Sequence, residues 1–311
     1  MSSRSSSLTR LIGAAFATVC AAFGAPAEEF SWQLSGITSR AELADFSRDS
    51  WAVDGTYYLK PIDDSSGPYA LASFLNPTTR VSAAASKVDA DLVSDPAAYT
   101  LSGAFVLPGE KWYVSGVYSK STMDDTQFVT YSDPKGYGVS AGRYLGANTT
   151  LELGWGGSEQ KSSFACPPNM LCIGPALETK TTTDSVSLEV FHVRRFRSLT
   201  YSLEGRVSQS DADVEIRSGL PLPNPPGIGD ESRVYSVATE LFPTNRLGVR
   251  VGYSRPDGDR DVDSYDVTAT WFFKPRIAVQ LGLSRSNIEV APTTLGPTHS
   301  ESAAVRFIGR L

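Results

Sequence analysis

The chain has 311 residues, 20% of them charged and 10% aromatic, with a formal net charge of −6 and a mean hydropathy of −0.16. That average is too polar for a bundle of membrane helices, and beyond the N-terminal leader no stretch approaches the roughly 20 apolar residues a spanning helix needs. The acidic balance also argues against a nucleic-acid surface. Neither number excludes a barrel of alternating strands, whose apolar faces disappear from such averages.

Residues 1–27 read as a cleavable secretory signal. Arg4 and Arg10 form its basic region, Leu11 to Phe23 its apolar core, and Ala25-Pro26-Ala27 a small-x-small cleavage site. The mature chain then begins at Glu28 and keeps 26 basic and 34 acidic residues. Cys20 invites a lipid anchor, but Val19 before it is bulkier than the small residue such processing uses.

After the signal the chain alternates. Strands are predicted at roughly 30–44, 50–59, 77–91, 97–107, 111–121, 135–145, 149–160, 181–194, 198–215, 231–242, 246–257, 261–273, 276–289 and 299–311. In one of them Tyr265, Val267, Ala269, Trp271 and Phe273 share a face, and Asp266, Thr268 and Thr270 share the other. The connections alternate as well. Leu107-Pro108-Gly109-Glu110, Gly146-Ala147-Asn148, Arg195-Phe196-Arg197, Pro243-Thr244-Asn245 and Lys274-Pro275 are tight; 122–134, 161–180, 216–230, 258–260 and 290–298 are mostly longer. This is the pattern of an all-β, single antiparallel transmembrane β-barrel of about 14 strands, with 12 to 16 as the range. Its tight turns face the periplasm and its long loops the exterior. An even strand number puts both termini in the periplasm.

Bulky apolar residues recur six apart on the apolar faces: Trp51 and Tyr57, Tyr99 and Phe105, Trp112 and Tyr118, Tyr235 and Leu241, Leu247 and Tyr253, Tyr265 and Trp271. Six residues rise roughly 20 Å along a strand. A tilt of about 40° reduces that to roughly 15 Å along the membrane normal, inside an apolar band of about 25 Å. The pairs fit two aromatic girdles; the β-propensity of Tyr and Trp is the plainer source. Arg143 breaks the pattern by sharing a face with Tyr137 and Val139. Either it snorkels at the periplasmic rim or the register there slips by one.

The polar faces carry Asp54, Arg80, Glu152, Glu189, Glu204, Arg206, Glu240, Arg246, Arg250, Asp266, Arg306 and Arg310, beside small residues such as Gly138, Ser140, Gly142, Gly154, Gly248 and Gly252. Fourteen strands with small inward residues leave room for water, whereas eight strands are filled by side chains. The charges also have partners within reach of one another, Glu204 with Arg206 and Glu240 with Arg246 and Arg250.

Chemistry-bearing residues are few. Cys166 and Cys172 share the longest external loop, and two cysteines in an exported loop most simply pair as a disulfide. No histidine or second cysteine pair stands near them to hold a metal. Only His192 and His299 are available to a Ser–His pair. His299 and Ser300 are adjacent and point to opposite faces of a strand. The reading is a non-enzyme without cofactors.

Two segments carry a resemblance. Gly55 to Asn76, reading GTYYLKPIDDSSGPYALASFLN, resembles the putative general bacterial porin family of Gram-negative proteobacteria, in which a Tyr-Tyr strand end precedes a Pro-Ile/Val-Asp-Asp stretch, Gly-Pro and a short apolar helix ending Phe-Leu-Asn. The match covers about 22 residues; elsewhere only the alternation and the terminal strand agree. The resemblance implies a periplasmic connection at 60–76 with a short helix. Pro68 suits a first helical turn, and Leu71, Phe74 and Leu75 fall on one helical face. The helix is expected under the barrel mouth; a plug in the lumen is the sharper alternative. The last strand, with Ala303, Val305, Phe307, Gly309 and Leu311 on one face, resembles the closing strand of outer-membrane barrels, though Leu311 stands where an aromatic residue is usual. That resemblance implies recognition by the barrel-assembly machinery. Similarity to porins whose third long loop narrows the lumen implies a constriction at 122–134, with Asp124, Asp125 and Asp133 facing Arg246, Arg250 or Arg306.

The expected protein is a porin-like channel in the bacterial outer membrane, passing small hydrophilic solutes or ions. The alternative is a non-conducting structural or binding barrel working through its external loops. Expected partners are outer-membrane lipid and small solutes, with oligomerisation left open. A soluble β-sandwich is the remaining fold.

Overall fold

The computed structural model describes residues 29–43, 46–65, 67–90, 96–109, 111–122, 129–164, 177–218, 228–257, 262–288 and 298–311. The strands are β1 (Glu29–Leu43), β2 (Phe46–Asp63), β3 (Arg80–Ala90), β4 (Ala97–Val106), β5 (Trp112–Thr122), β6 (Val129–Tyr131), β7 (Lys135–Tyr144), β8 (Thr149–Phe164), β9 (Leu177–Phe196), β10 (Leu199–Ser218), β11 (Ile228–Thr244), β12 (Leu247–Asp257), β13 (Val262–Lys274), β14 (Ile277–Ile288) and β15 (Thr298–Arg310). A 3₁₀ turn (Tyr69–Leu71) runs into the short helix α1 (Ala72–Leu75).

Every neighbouring pair is antiparallel, and the ladder closes where β1 pairs with β15, Gln33 opposite Arg310 and Leu43 opposite Ser300. The result is a closed barrel of fourteen strands. The three-residue β6 stands outside that count: it pairs only with the top of β8, Val129 opposite Phe164. Closure satisfies the strand edges that an open sheet would leave bare in lipid. None of the described helices is long and apolar enough to cross a membrane.

The faces are inverted relative to a water-soluble sandwich. Leu283, Leu153, Val139, Tyr99, Tyr137 and Trp155 are all exposed on the outer wall, Leu283 by 65%. An apolar surface of this extent is covered by lipid or protein, not by water. Outward rings pair across strands, Trp32 with Tyr57 at 4.7 Å between centroids and Tyr253 with Tyr265 at 5.1 Å. Arg143 does point outward, opposite Trp112 on β5, with its guanidinium carbon 5.1 Å from the indole centroid. The register is therefore as read from the alternation.

Wall height varies. The twenty-residue β9 and β10 pair along their whole length. At about 3.4 Å per residue they span roughly 68 Å, far more than the apolar band requires, so this hairpin rises beyond the membrane on the long-loop side. β4 and β7 have ten residues each. At the opposite rim, Gly109 and Gly146 take positive φ values of 74° and 85° in the tight turns, a conformation that glycine adopts without a Cβ penalty.

Candidate functional site: the lumen and its periplasmic seal

The lumen face is built by every second residue. Two clusters of charge stand on it. On the β15–β1–β2 side, Arg306 donates from Nη2 to Asp54 Oδ1 at 2.7 Å and from Nε to Ser35 Oγ at 2.8 Å, and Ser35 also donates to Asp54. Arg80 faces inward beside them, in register with Tyr58 and Ala104. On the β8–β13 side, Arg250 bridges two carboxylates, donating to Glu204 Oε2 at 3.2 Å and to Asp266 Oδ2 at 3.1 Å. Glu240 lies directly opposite Arg250 across the β11–β12 ladder. Glu152 and Glu189 oppose each other between β8 and β9, and Glu189 opposes Arg206 on β10. Glu152 accepts a hydrogen bond from the Tyr113 hydroxyl at 2.5 Å.

The second arc holds five carboxylates against Arg206 and Arg250, whereas the first holds Asp54 against Arg80 and Arg306. Unlike charge on opposite walls of a wet passage sets a transverse field. Two glycines permit this geometry. A Cβ at Gly142 would collide with the Tyr113 ring that crosses β7 toward Glu152, and one at Gly252 would collide with the Asp266 carboxylate that folds toward Arg250.

Two sequence-derived residues sit elsewhere. Arg246 is not on the wall: it lies exposed in the tight β11–β12 turn, where its carbonyl accepts from the Phe272 amide. Asp133 is ion-paired with Lys120 at 2.7 Å. Lys120 belongs to the outward series of β5, with Trp112, Val114 and Tyr118, so this carboxylate is engaged at the outer rim and does not face Arg250 or Arg306. Asp124, Asp125, Cys166 and Cys172 lie outside the described residues. Of the histidines, His192 Nδ1 is 2.8 Å from Thr149 Oγ1 near the tight-turn rim, and His299 is exposed at the other end of the barrel.

The largest correction concerns the connection after β2. The strand itself runs to Asp63, so 60–63 belong to the wall. The following segment does not lie under the mouth; it enters the lumen and crosses it. Leu71 packs on Val193 of β9 and Phe242 of β11, and Phe74 meets Phe191 at 4.6 Å and Tyr144 at 6.3 Å. Tyr69 meets Phe272 at 5.6 Å, beside Ala278 and Ile308. Ala72 closes a cluster with Phe30, Tyr58 and Ile62. In barrel order β9 stands six places from β2 among fourteen, so the segment spans nearly the full diameter. Its ends are tied by Tyr69 N to Asn245 O at 2.9 Å and by Asn76 Nδ2 to Asp63 O at 2.6 Å.

Arg310 lies beneath this seal, 3% exposed, between the rings of Phe30 at 4.6 Å and Phe272 at 4.8 Å, with its Nε on Gln33 Oε1. Such stacking suits a guanidinium that is shielded from water. Asp64 is buried nearby; desolvation raises its carboxyl above the ordinary range, against the opposing pull of Arg310. A recess of about 570 Å³ remains at the rim beside the segment, lined among others by Leu75, Pro77, Lys111 and Tyr144.

The signal for this seal was in the sequence. Tyr144, Phe191, Val193, Phe242, Phe272, Ala278 and Ile308 are apolar residues on faces otherwise polar, all near tight turns or the terminal strand end. A purely water-filled lumen has no use for them.

The fold has solved counterparts. Outer membrane protein Omp33 of Acinetobacter baumannii superposes with a TM-score of 0.60 at 17% identity, over 92% of this chain and 100% of that one. CymD, described as a monoaromatic hydrocarbon channel, gives 0.54 at 11% identity over 94% and 97%. At these identities the likeness is one of fold. No curated protein matches the sequence. The model of the putative general bacterial porin family matches residues 8–168, more than half of the sequence, and the chain belongs to that family.

Proposed function

We propose that this outer-membrane barrel is a channel for passive diffusion of small hydrophilic solutes or ions, with the segment after β2 setting its limiting cross-section. The observation that carries this reading is the inward face above the seal. It is lined by acidic and basic side chains and by small residues such as Gly138, Ser140 and Gly154, a wall that holds water and counterions. Planar-bilayer recording of the folded protein is the test. Discrete conductance steps support a channel, and a folded barrel that inserts without conducting refutes it.

A second reading, a non-conducting barrel that works through its external loops, is favoured by one observation: the apolar contacts across the periplasmic mouth. It predicts silence from the native protein.

In this proposal the signal ends at Ala27, and the closing strand delivers the chain to the assembly machinery. Cys166 and Cys172 form a disulfide. They are close in sequence and the compartment is oxidising; closing so short a loop removes about 2–3 kcal/mol of open-chain entropy at most. Thiol labelling of unreduced, denatured protein is expected to modify neither cysteine, and stoichiometric labelling of both would show the bond absent.

A further inference from the structure

We propose that the outer wall of β4, β5, β7 and β8 is a binding site for an anionic phospholipid of the periplasmic leaflet, with an acyl chain in the wall and the phosphate on Arg143. The alternation of β4 and β5 puts Gly103 and Gly116 on the lipid-facing side, directly opposite each other. They lie in one cross-strand row, Val81, Gly103, Gly116, Val139, Trp155 and Val186. The next row toward the tight turns is Phe105, Val114, Ala141 and Leu153. Missing side chains at the two glycines leave an apolar groove of about 990 Å³ bounded by these larger neighbours.

The groove points at a cation. Two residues beyond Val114 and Ala141, about 7 Å along the strands, Trp112 and Arg143 form the following pair of the ladder. Arg143 is exposed and stacked on the indole, so its guanidinium is held at the height of the aromatic rim. Arg194 and Arg197 are exposed at the same rim. A guanidinium at headgroup level recognises phosphate by charge-assisted, bidentate hydrogen bonds, and an apolar trough leading from it into the hydrocarbon band suits the chain of the same molecule. This charge complementarity selects a phospholipid over the apolar flank of a second barrel.

The test uses the full mature protein in detergent with phosphatidylglycerol as the probe, its retention read by native mass spectrometry. Gly116→Leu fills the floor of the groove; a Cβ there meets only Gly138 O at 3.8 Å, so the strand accepts it. Arg143→Gln removes the phosphate contact and leaves the wall intact. The expected result is retained lipid in the wild type, none with Gly116→Leu, and about tenfold weaker binding with Arg143→Gln. Equal retention by all three proteins, or none by the wild type, overturns the proposal. Loss of an oligomer with Gly116→Leu while lipid retention is unchanged overturns it too, because a second copy then occupies the groove. None of these readouts depends on conductance.

Discussion

Replacing residues 67–76 with a Gly-Ser linker of equal length is expected to raise single-channel conductance severalfold while the barrel still assembles. The wall does not need this segment for its ladder, because β2 and β3 pair directly from Arg48 opposite Ala90 to Tyr58 opposite Arg80. What the linker removes is the set of apolar anchors, Tyr69, Leu71, Phe74 and Leu75, that hold the chain across the mouth. A single substitution tests the same point. Leu71→Asp places a carboxylate against Val193 and Phe242 in a cluster with no charge partner, and an unpaired buried charge costs several kcal/mol. Each 1.4 kcal/mol of bias changes a two-state ratio by about tenfold, so even part of that cost empties the seated state. Conductance equal to wild type in both variants would show that the segment is not the limiting resistance. Silence in the linker variant, with the barrel folded, would favour the non-conducting reading.

The seal also carries a pH dependence. Burial raises the Asp64 carboxyl, while Arg310 and Arg276 pull it down and Asp63 pushes it up. A carboxyl raised in the seated state binds its proton more tightly there than when the segment is released. Its contribution to seating is complete below the ordinary carboxylate range and is lost as pH rises through the raised value. Acidification is therefore expected to favour the seated, low-conductance state, and Asp64→Asn to remove that part of the response.

Much of the barrel was legible in the sequence, because lipid outside and water inside impose alternation on each strand independently. All fourteen wall strands fall where periodicity put them. The ends were less legible. β9 begins at Leu177, four residues before its predicted start, because Glu178, Thr179 and Lys180 carry no apolar phase although their ladder to β10 continues. The short β6 was missed for a similar reason: three residues are too few for a period. The seal was missed on different grounds. Its seat is assembled from apolar residues on strands scattered from β1 to β15, only one or two to each alternating strand. Only the curl of the sheet turns Phe191, Phe242 and Phe272 toward the same crossing segment. Alternation says which side of a strand a charge occupies but not which partner it meets. That Arg250 reaches Glu204, on a strand two places away, depends on curvature that one-dimensional spacing does not contain.

That pairing changes what Arg250 is expected to do. An isolated guanidinium in the lumen would act as a fixed positive charge, favouring anions. Here it is hydrogen-bonded to Glu204 and Asp266 and faces Glu240, so it chiefly neutralises an acidic arc. Arg250→Gln removes one positive charge and uncovers three carboxylates together; Arg250→Glu adds a fourth. Both are expected to move the reversal potential toward cation preference, Glu further than Gln, with a ceiling of about 59 mV for a tenfold gradient of a monovalent salt. The side chain of Arg250 is 36% exposed, and ion pairs in contact with water contribute only about 0–1 kcal/mol, so assembly should survive. The shift should be large at 0.1 M salt, where the Debye length is about 10 Å, and small at 1 M, where it is about 3 Å. Glu204→Gln added to Arg250→Gln should restore part of the wild-type selectivity, because the two charges act on each other. A reversal potential unchanged in Arg250→Gln at low salt, in a barrel whose wild type conducts, would mean that permeating ions do not pass this arc and that the passage runs along the opposite wall, past Arg80, Arg306 and Asp54.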